Sequence, residues 1–265
     1  MILATHGIVA SYVGIDADAL AFITAANITD TTQQNAIKTL VSDLKSYGIW
    51  TKMKAIYPFV GGTAFSHKFN LKDPRDDNGA FRLIFVNGFT HSSFGVQPNG
   101  IDAYATTNLI PSVLLSLNST HLSYYSRTTN GFGTMFSSIN SAYNGVIYSI
   151  YDTNKLYGRT NRTSATPQSA TPTISNSLGL LIQNRNSSTV EQLYQNTTNY
   201  DFSYNSSIVP GIPLEIFTYN EYGVRQIFSN MQCSFASIGD GLTNTESVNL
   251  HTAVNKFQTT SGRNV

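Results

Sequence analysis

Between Asp30 and Gly48 the apolar residues return at helical intervals, with Ala36, Ile37, Leu40, Val41, Leu44 and Tyr47 on one stripe. Asp30-Thr-Thr-Gln33 has the form of a capping box and Gly48 is a natural stop, so a helix is predicted there. From Ile49 the period changes to two. Ile49, Thr51, Met53, Ala55, Tyr57 and Phe59 would face one way along a strand that Pro58 and Gly61-Gly62 end or push to an edge. Upstream, Asp16-Ala-Asp18-Ala-Leu-Ala-Phe-Ile23 fits either a helix capped by its aspartates or an arm on a neighbouring subunit.

The rest of the chain alternates short apolar stretches with turn residues. Residues 63–71 are expected to pair next, followed by an Asp73–Gly79 turn; 81–86 precede Asn87-Gly88, a hairpin signal that would return the chain along 89–93. Further strands are predicted at 103–108, 113–117, 122–127, 145–151, 155–159, 178–183, 191–195, 214–218, 225–229 and 231–238. Many short strands with regular turns argue for a mainly β sandwich or jelly roll. The polar stretch 161–177 is predicted to be a loop. Too few strands lie on either side of it to close two cores, which gives a 1–48 arm and helix followed by one 49–265 sandwich.

The chain closes on a strand carrying Cys233, Phe235 and Ile238, stopped by Gly239-Asp240-Gly241. Thr243-Asn-Thr-Glu246 then opens a helix whose apolar side holds Val248, Leu250, Val254 and Phe257 before Gly262. Strand, Gly-rich turn and Leu-Thr-x-x-Glu helix resemble the end of laminin G-like or concanavalin A-like sandwich domains. Residues 43–64, 67–76 and 117–127, taken with this closing unit, resemble structural proteins of tailed bacteriophages, seen especially in phages of Bacteroidetes. The resemblance covers roughly 30–130 and 225–265, and the segment 131–224 departs from it.

That resemblance implies a concanavalin A-like β-sandwich with an N-terminal helix and a short C-terminal helix. It implies a non-enzymatic virion component, a head decoration, head fibre or tail and fibre part. Its partners would be other virion proteins and copies of itself, a trimer in a fibre, and it would leave the host by lysis. An ordinary cytoplasmic life fits the same residues, because 1–28 lack a secretory leader's basic and long apolar segments. No apolar run approaches the roughly 20 residues of a membrane span.

Composition narrows the partners. Charged residues make up only 12% of the chain and hydrophobic ones 41%, with 15 Phe and 15 Tyr, so a core is available under a neutral amide-and-hydroxyl surface. A net charge of +1 lacks the electrostatic footprint of a nucleic-acid binder. Lys45, Lys52, Lys54, Lys68, Lys72 and Arg75 are interspersed with aspartates and read as a solvated face. The single Cys233 reads as a small core residue.

Candidate chemistry is sparse. The four glutamates, 191, 215, 221 and 246, form no close sequence pair of the kind glycoside hydrolysis uses, and Glu246 is explained by capping. Hydrolase elbows and phosphate loops are absent. The five histidines, 6, 67, 91, 121 and 251, are scattered singly, and Asp73–Gly79 lacks calcium-loop alternation, so neither metal nor cofactor is expected. Aromatic faces beside amides suit sugars. Tyr124-Tyr125, Tyr148, Tyr151 and Tyr157, with Asn154 and Arg159, offer that chemistry, although alternating tyrosines are equally ordinary core or interface residues. The alternative function is therefore a carbohydrate-binding module on the phage surface recognising host or mucus glycans, through Tyr124, Tyr151, Asn154, Tyr157 and Arg159. A glycan-cleaving enzyme would need carboxylates brought together from distant strands.

Overall fold

The computed structural model describes residues 15–140, 146–163 and 167–265, and for 146–150 the backbone alone. The chain runs through α1 (Ala17–Ala25), α2 (Thr31–Ser46), β1 (Met53–Tyr57), α3 (Ala64–His67), β2 (Ile84–Val86), β3 (Phe89–Ser92), β4 (Gly95–Pro98), β5 (Tyr104–Thr106), α4 (Pro111–Leu114), β6 (Thr120–Ser126) and β7 (Gly133–Ile139). Next come β8 (Val146–Asp152), β9 (Lys155–Arg162), β10 (Ser169–Ala170), β11 (Gly179–Arg185), β12 (Val190–Gln195) and β13 (Thr198–Ser203). It closes with β14 (Glu215–Ile216), β15 (Tyr219–Glu221), β16 (Val224–Gln226), β17 (Cys233–Gly239) and α5 (Asn244–Thr260).

These strands form a sandwich of two sheets, almost wholly antiparallel. The first runs β13-β12-β11-β6-β17-β4-β3, and β1 also pairs with β17, beyond the single pair that β4 makes at Cys233. The second runs β10-β9-β8-β7-β14-β5-β2, with the β15–β16 hairpin attached along β7. β17 is thus an inner strand. All seven of its residues are buried, Ser234 and Ser237 included, and Ser237 Oγ meets Ser123 Oγ of β6 at 2.6 Å.

Two apolar clusters divide the interior. Leu122, Tyr124, Leu181, Leu193, Ala236 and Ile238 of the first sheet meet Ala105, Phe136, Tyr151, Leu156 and Ile216 of the second. On its other face the first sheet presents Tyr125, Leu180, Ile182, Tyr194 and Phe235 to α1, α2 and α5. The molecule therefore has three layers, helices over sheet over sheet. The 1–48 helix docks on the sandwich's own sheet, and α1 forms behind Asp16, whose carboxylate accepts from Asp18 N at 3.0 Å.

Both capped helices begin where the sequence places them. Asp30 accepts from Gln33 N at 2.8 Å, but the Gln33 side chain accepts from Gly61 N instead of closing the box. At α5 both halves form: Thr243 accepts from Glu246 N and Glu246 accepts from Thr243 N at 2.7 Å. This helix spans 17 residues, longer than the short one expected.

Several expected strands are absent or different. Thr63 and Ser66 make a reciprocal cap, so 63–67 open a helical turn, and Pro111 at the first helical position turns 111–114 into another. Trp50–Lys52 form a 3₁₀ turn, and a bulge after Met53 switches faces. Met53 and Ile56 consequently face the helices, while Ala55, Tyr57 and Phe59 face the second sheet. Asn87-Gly88 makes no hairpin. β2 pairs with β5 and β3 with β4, so the positive φ of 65° at Asn87 lifts the chain from one sheet to the other. β7 and β13 went unpredicted because their polar, small-residue sequences carry no apolar run.

Candidate functional site

The five residues proposed for sugar recognition separate into two groups. Tyr124 is 1% exposed, packed on Phe136 and Phe217, and its hydroxyl donates to Met231 O at 2.6 Å. Tyr151 is 1% exposed in the same core. Neither presents an aromatic face to a ligand, which corrects that expectation. Strand alternation turns each inward, a direction that sequence leaves undecided when both faces of a strand carry tyrosines. Tyr125 is buried as well, and the Tyr148 side chain lies outside the described residues. Asn154 is exposed at the β8–β9 turn, while Tyr157 and Arg159 project from β9 away from the core-facing Leu156 and Gly158.

Two clefts open on that outer face of the second sheet. The larger encloses about 370 Å³ and is lined by Tyr104 and Thr106 of β5, Glu215 of β14 and Asn220, Tyr222, Gly223 and Arg225 of the hairpin. Because Ala105 and Ile216 point into the core, Tyr104, Thr106 and Glu215 must point out. Arg225 grips Glu215 as a fork, Nη2 to Oε1 at 2.6 Å and Nε to Oε2 at 2.9 Å, with its guanidinium 4.1 Å from the centre of the Tyr104 ring. Burial pushes the Glu215 carboxyl upward while the guanidinium pulls against it; the same hydrogen bonds hold Arg225 up.

The tip of the hairpin explains how this cleft gains its rim. Tyr222-Gly223 is a two-residue loop with φ of 50° and 89°, the type I′ geometry in which Asn-Gly is the usual occupant. A tyrosine there is strained, and its ring is 66% exposed. The Asn220 side chain steadies the turn by accepting from Gly223 N at 2.8 Å. Hydrogen bonds from Ser137 Oγ to Thr218 O and from Asn220 N to Ser137 Oγ anchor the hairpin to β7. Sequence reading missed this cleft, though one signal was present: a Tyr-Gly pair where turn chemistry favours Asn-Gly.

The second cleft, about 290 Å³, is lined by Phe132, Asp152, Tyr157, Gln168 and Ile227. Thr153-Asn154 forms the adjoining type I′ turn, with φ of 46° and 58°. Ile227 also has a positive φ, 50°, which a β-branched residue adopts only under constraint.

The remaining titratable clusters are enclosed or committed. Glu191, expected on a strand and unpaired, is wholly buried and accepts from Arg162, Arg185 and Thr160 N. Asn161 and Arg162, expected in a loop, end β9 inside the protein. His67 and His91 are not scattered singly, since their Nδ1 atoms meet at 2.9 Å. His121 Nδ1 reaches Asp240 O at 2.6 Å; His6 lies outside the described residues. In the Asp73–Gly79 turn, Arg75 holds Asp73 and Asp77, while Lys68 and Arg82 hold Asp76. Among the described residues no group of three or more His, Cys, Asp or Glu is placed to hold a metal ion.

No protein-family model matches this chain, and no curated protein matches it. Solved structures do. Domain 4 of AbnA, a GH43 extracellular arabinanase from Geobacillus stearothermophilus, in complex with arabinotriose, is similar over 76% of this chain and 98% of its own, with TM-score 0.52 and 15% identity. A mutant of Trypanosoma rangeli sialidase displaying trans-sialidase activity is similar over 84% of this chain and 39% of its own, with TM-score 0.54 and 10% identity. At these identities the likeness is one of fold, and it defines the chain as a β-sandwich of the kind these glycan-related proteins contain.

Proposed function

We propose that this chain is a carbohydrate-binding module that holds a neutral glycan in the Tyr104–Glu215–Arg225–Tyr222 cleft without cleaving it. The observation that carries this reading is the exposed, strained Tyr222 beside a carboxylate–guanidinium fork already fixed in place. A sugar ring offers an apolar face for the tyrosine and hydroxyls for the fork and the Asn220 amide. Because Glu215 neutralises Arg225, the cleft favours uncharged sugars over acidic ones. The arabinotriose held by the similar arabinanase domain makes a neutral oligosaccharide the first ligand to try.

Absence of cleavage is argued from spacing. Each cleft lines itself with one carboxylate, Glu215 or Asp152. The common retaining and inverting routes of glycoside hydrolysis use two carboxylates within about 5–10 Å of each other across one bond. Titration calorimetry of the intact chain with arabinotriose and a panel of neutral oligosaccharides tests the proposal. Saturable binding that Tyr222→Ala and Arg225→Ala each weaken at least tenfold, with unchanged circular dichroism, is the expected result. Silence across the panel, or reducing ends appearing with time, overturns it.

We also propose, on the resemblance of residues 30–130 and 225–265, that the module is carried on a phage particle. Those residues supply α2, α5 and the strands β1, β6 and β17 behind the clefts, and also β5 and Arg225, which contribute Tyr104, Thr106 and the guanidinium to the larger cleft. The divergent stretch 131–224 supplies most of the cleft-bearing sheet. Peptides of this chain in purified virions are the check, and their absence removes the placement without touching sugar binding.

A further inference from the structure

The two clefts share one face. β9, β8, β7, β14 and β5 are consecutive in the second sheet, and Leu156, Tyr151, Phe136, Ile216 and Ala105 turn inward from them. Tyr157, Asp152, Glu215 and Tyr104 are their alternate neighbours and project the other way. With β7 as a ruler, Tyr151 lies opposite Gly133 and Glu215 opposite Ser137. The clefts are therefore about 13 Å apart along the strands and about 10 Å across them, roughly 16 Å corner to corner.

Between them runs β16, where exposed Gln226 and half-buried Arg225 stand among Val224 and Ile227. β16 leaves the larger cleft at Tyr222-Gly223 and reaches the smaller one at Ile227. Val224, 66% exposed, pairs with Glu221 and points to the opposite face of the hairpin from Arg225, while Ile227 at the smaller cleft is 39% exposed and Phe132 across it 44%. Phe132 and the Tyr157 ring supply aromatic surface, and Asp152 and Gln168 supply polar groups, so the smaller cleft, like the larger, sets aromatic surface beside a carboxylate, though among the described residues no guanidinium lines it. Ile227, like Tyr222, is held at a positive φ. Thr134 N donates to Ile227 O at 3.2 Å, which fixes that backbone against β7.

We infer that the face binds an extended glycan chain, with Tyr157, Phe132 and Asp152 forming a second subsite joined to the first by the β16 strip. This inference rests on the proposed glycan binding and adds the length of the ligand to it. A chain long enough to reach both clefts gains the second set of contacts without a second loss of translational freedom, so affinity should climb once the span is met. A ligand confined to the larger cleft would show no such climb.

The test measures affinity by calorimetry for an oligosaccharide ladder of the sugar that binds best, from disaccharide to decasaccharide, on the intact chain and on Tyr157→Ala and Asp152→Asn. Tyr157 and Asp152 are only partly buried, and circular dichroism confirms that each variant is folded. The expected result is a rise of about tenfold or more between the shortest and longest ligands, worth about 1.4 kcal/mol or more, that either substitution flattens. Binding that is independent of length, or a rise that neither variant changes, overturns the second subsite while leaving the single-cleft reading intact. Failure of every member of the ladder to bind overturns both.

Discussion

Tyr222 occupies a backbone position where most side chains are disfavoured, and replacing Tyr222-Gly223 by Asn-Gly should relax the turn while removing the ring. We expect that single change, Tyr222→Asn, to raise the melting temperature and abolish sugar binding together, a pairing that separates function from stability in one variant. Glu191 has the opposite character. It is the shared acceptor of two buried guanidiniums, so Glu191→Gln leaves Arg162 and Arg185 facing each other and should destabilise the fold by about 3–5 kcal/mol in urea titration. His121 sets an acid limit. Burial pushes its pKa down to about 4 from 6.5, so it is neutral in the fold and protonates more readily when unfolded. Its contribution is complete above pH 6.5 and is lost as pH falls toward 4, by about 3 kcal/mol, and His121→Asn should flatten that slope. In the cleft, protonation of Glu215 at a pH above the ordinary 4.5 should release sugar earlier on acidification than an exposed carboxylate would.

At the scale of elements, Thr243→Ala removes the hydroxyl that accepts from Glu246 N and should cost about 1 kcal/mol in thermal or denaturant unfolding. That cap was legible from four residues, as was the stripe of α2, because helix signals are local. Strand partners were not. Asn87-Gly88 carries a hairpin's sequence, yet its flanking strands belong to different sheets, since pairing is decided by residues far apart in the chain. β6, β11 and β17 are covered on both faces, so their small polar residues read as surface although they are interior. The candidate site was half legible for the same reason. Of the tyrosines named from sequence, Tyr157 projects outward from β9 while Tyr124 and Tyr151 turn inward, because nothing local tells inward from outward, and the Glu215–Arg225 fork forms only where β14 and β16 come together.

For the whole molecule, the expected pair of β layers proved to be two layers of a three-layer body, with the second sheet outermost on the side away from the helices. α5 touches α2 and the first sheet alike, with Lys256 reaching Asp43 at 2.9 Å, so the N-terminal helices and the closing helix form a single cover. That cover gives the protein a front and a back. A sandwich with both outer faces bare can meet its surroundings from either side. This one has its rear occupied by its own chain, and the Tyr222 and Tyr157 clefts both open on the front. Tethering through the rear helices would leave every copy facing outward, whereas immobilisation through the front would blind it, so the choice of attachment chemistry in any surface-based assay will decide whether activity is seen at all.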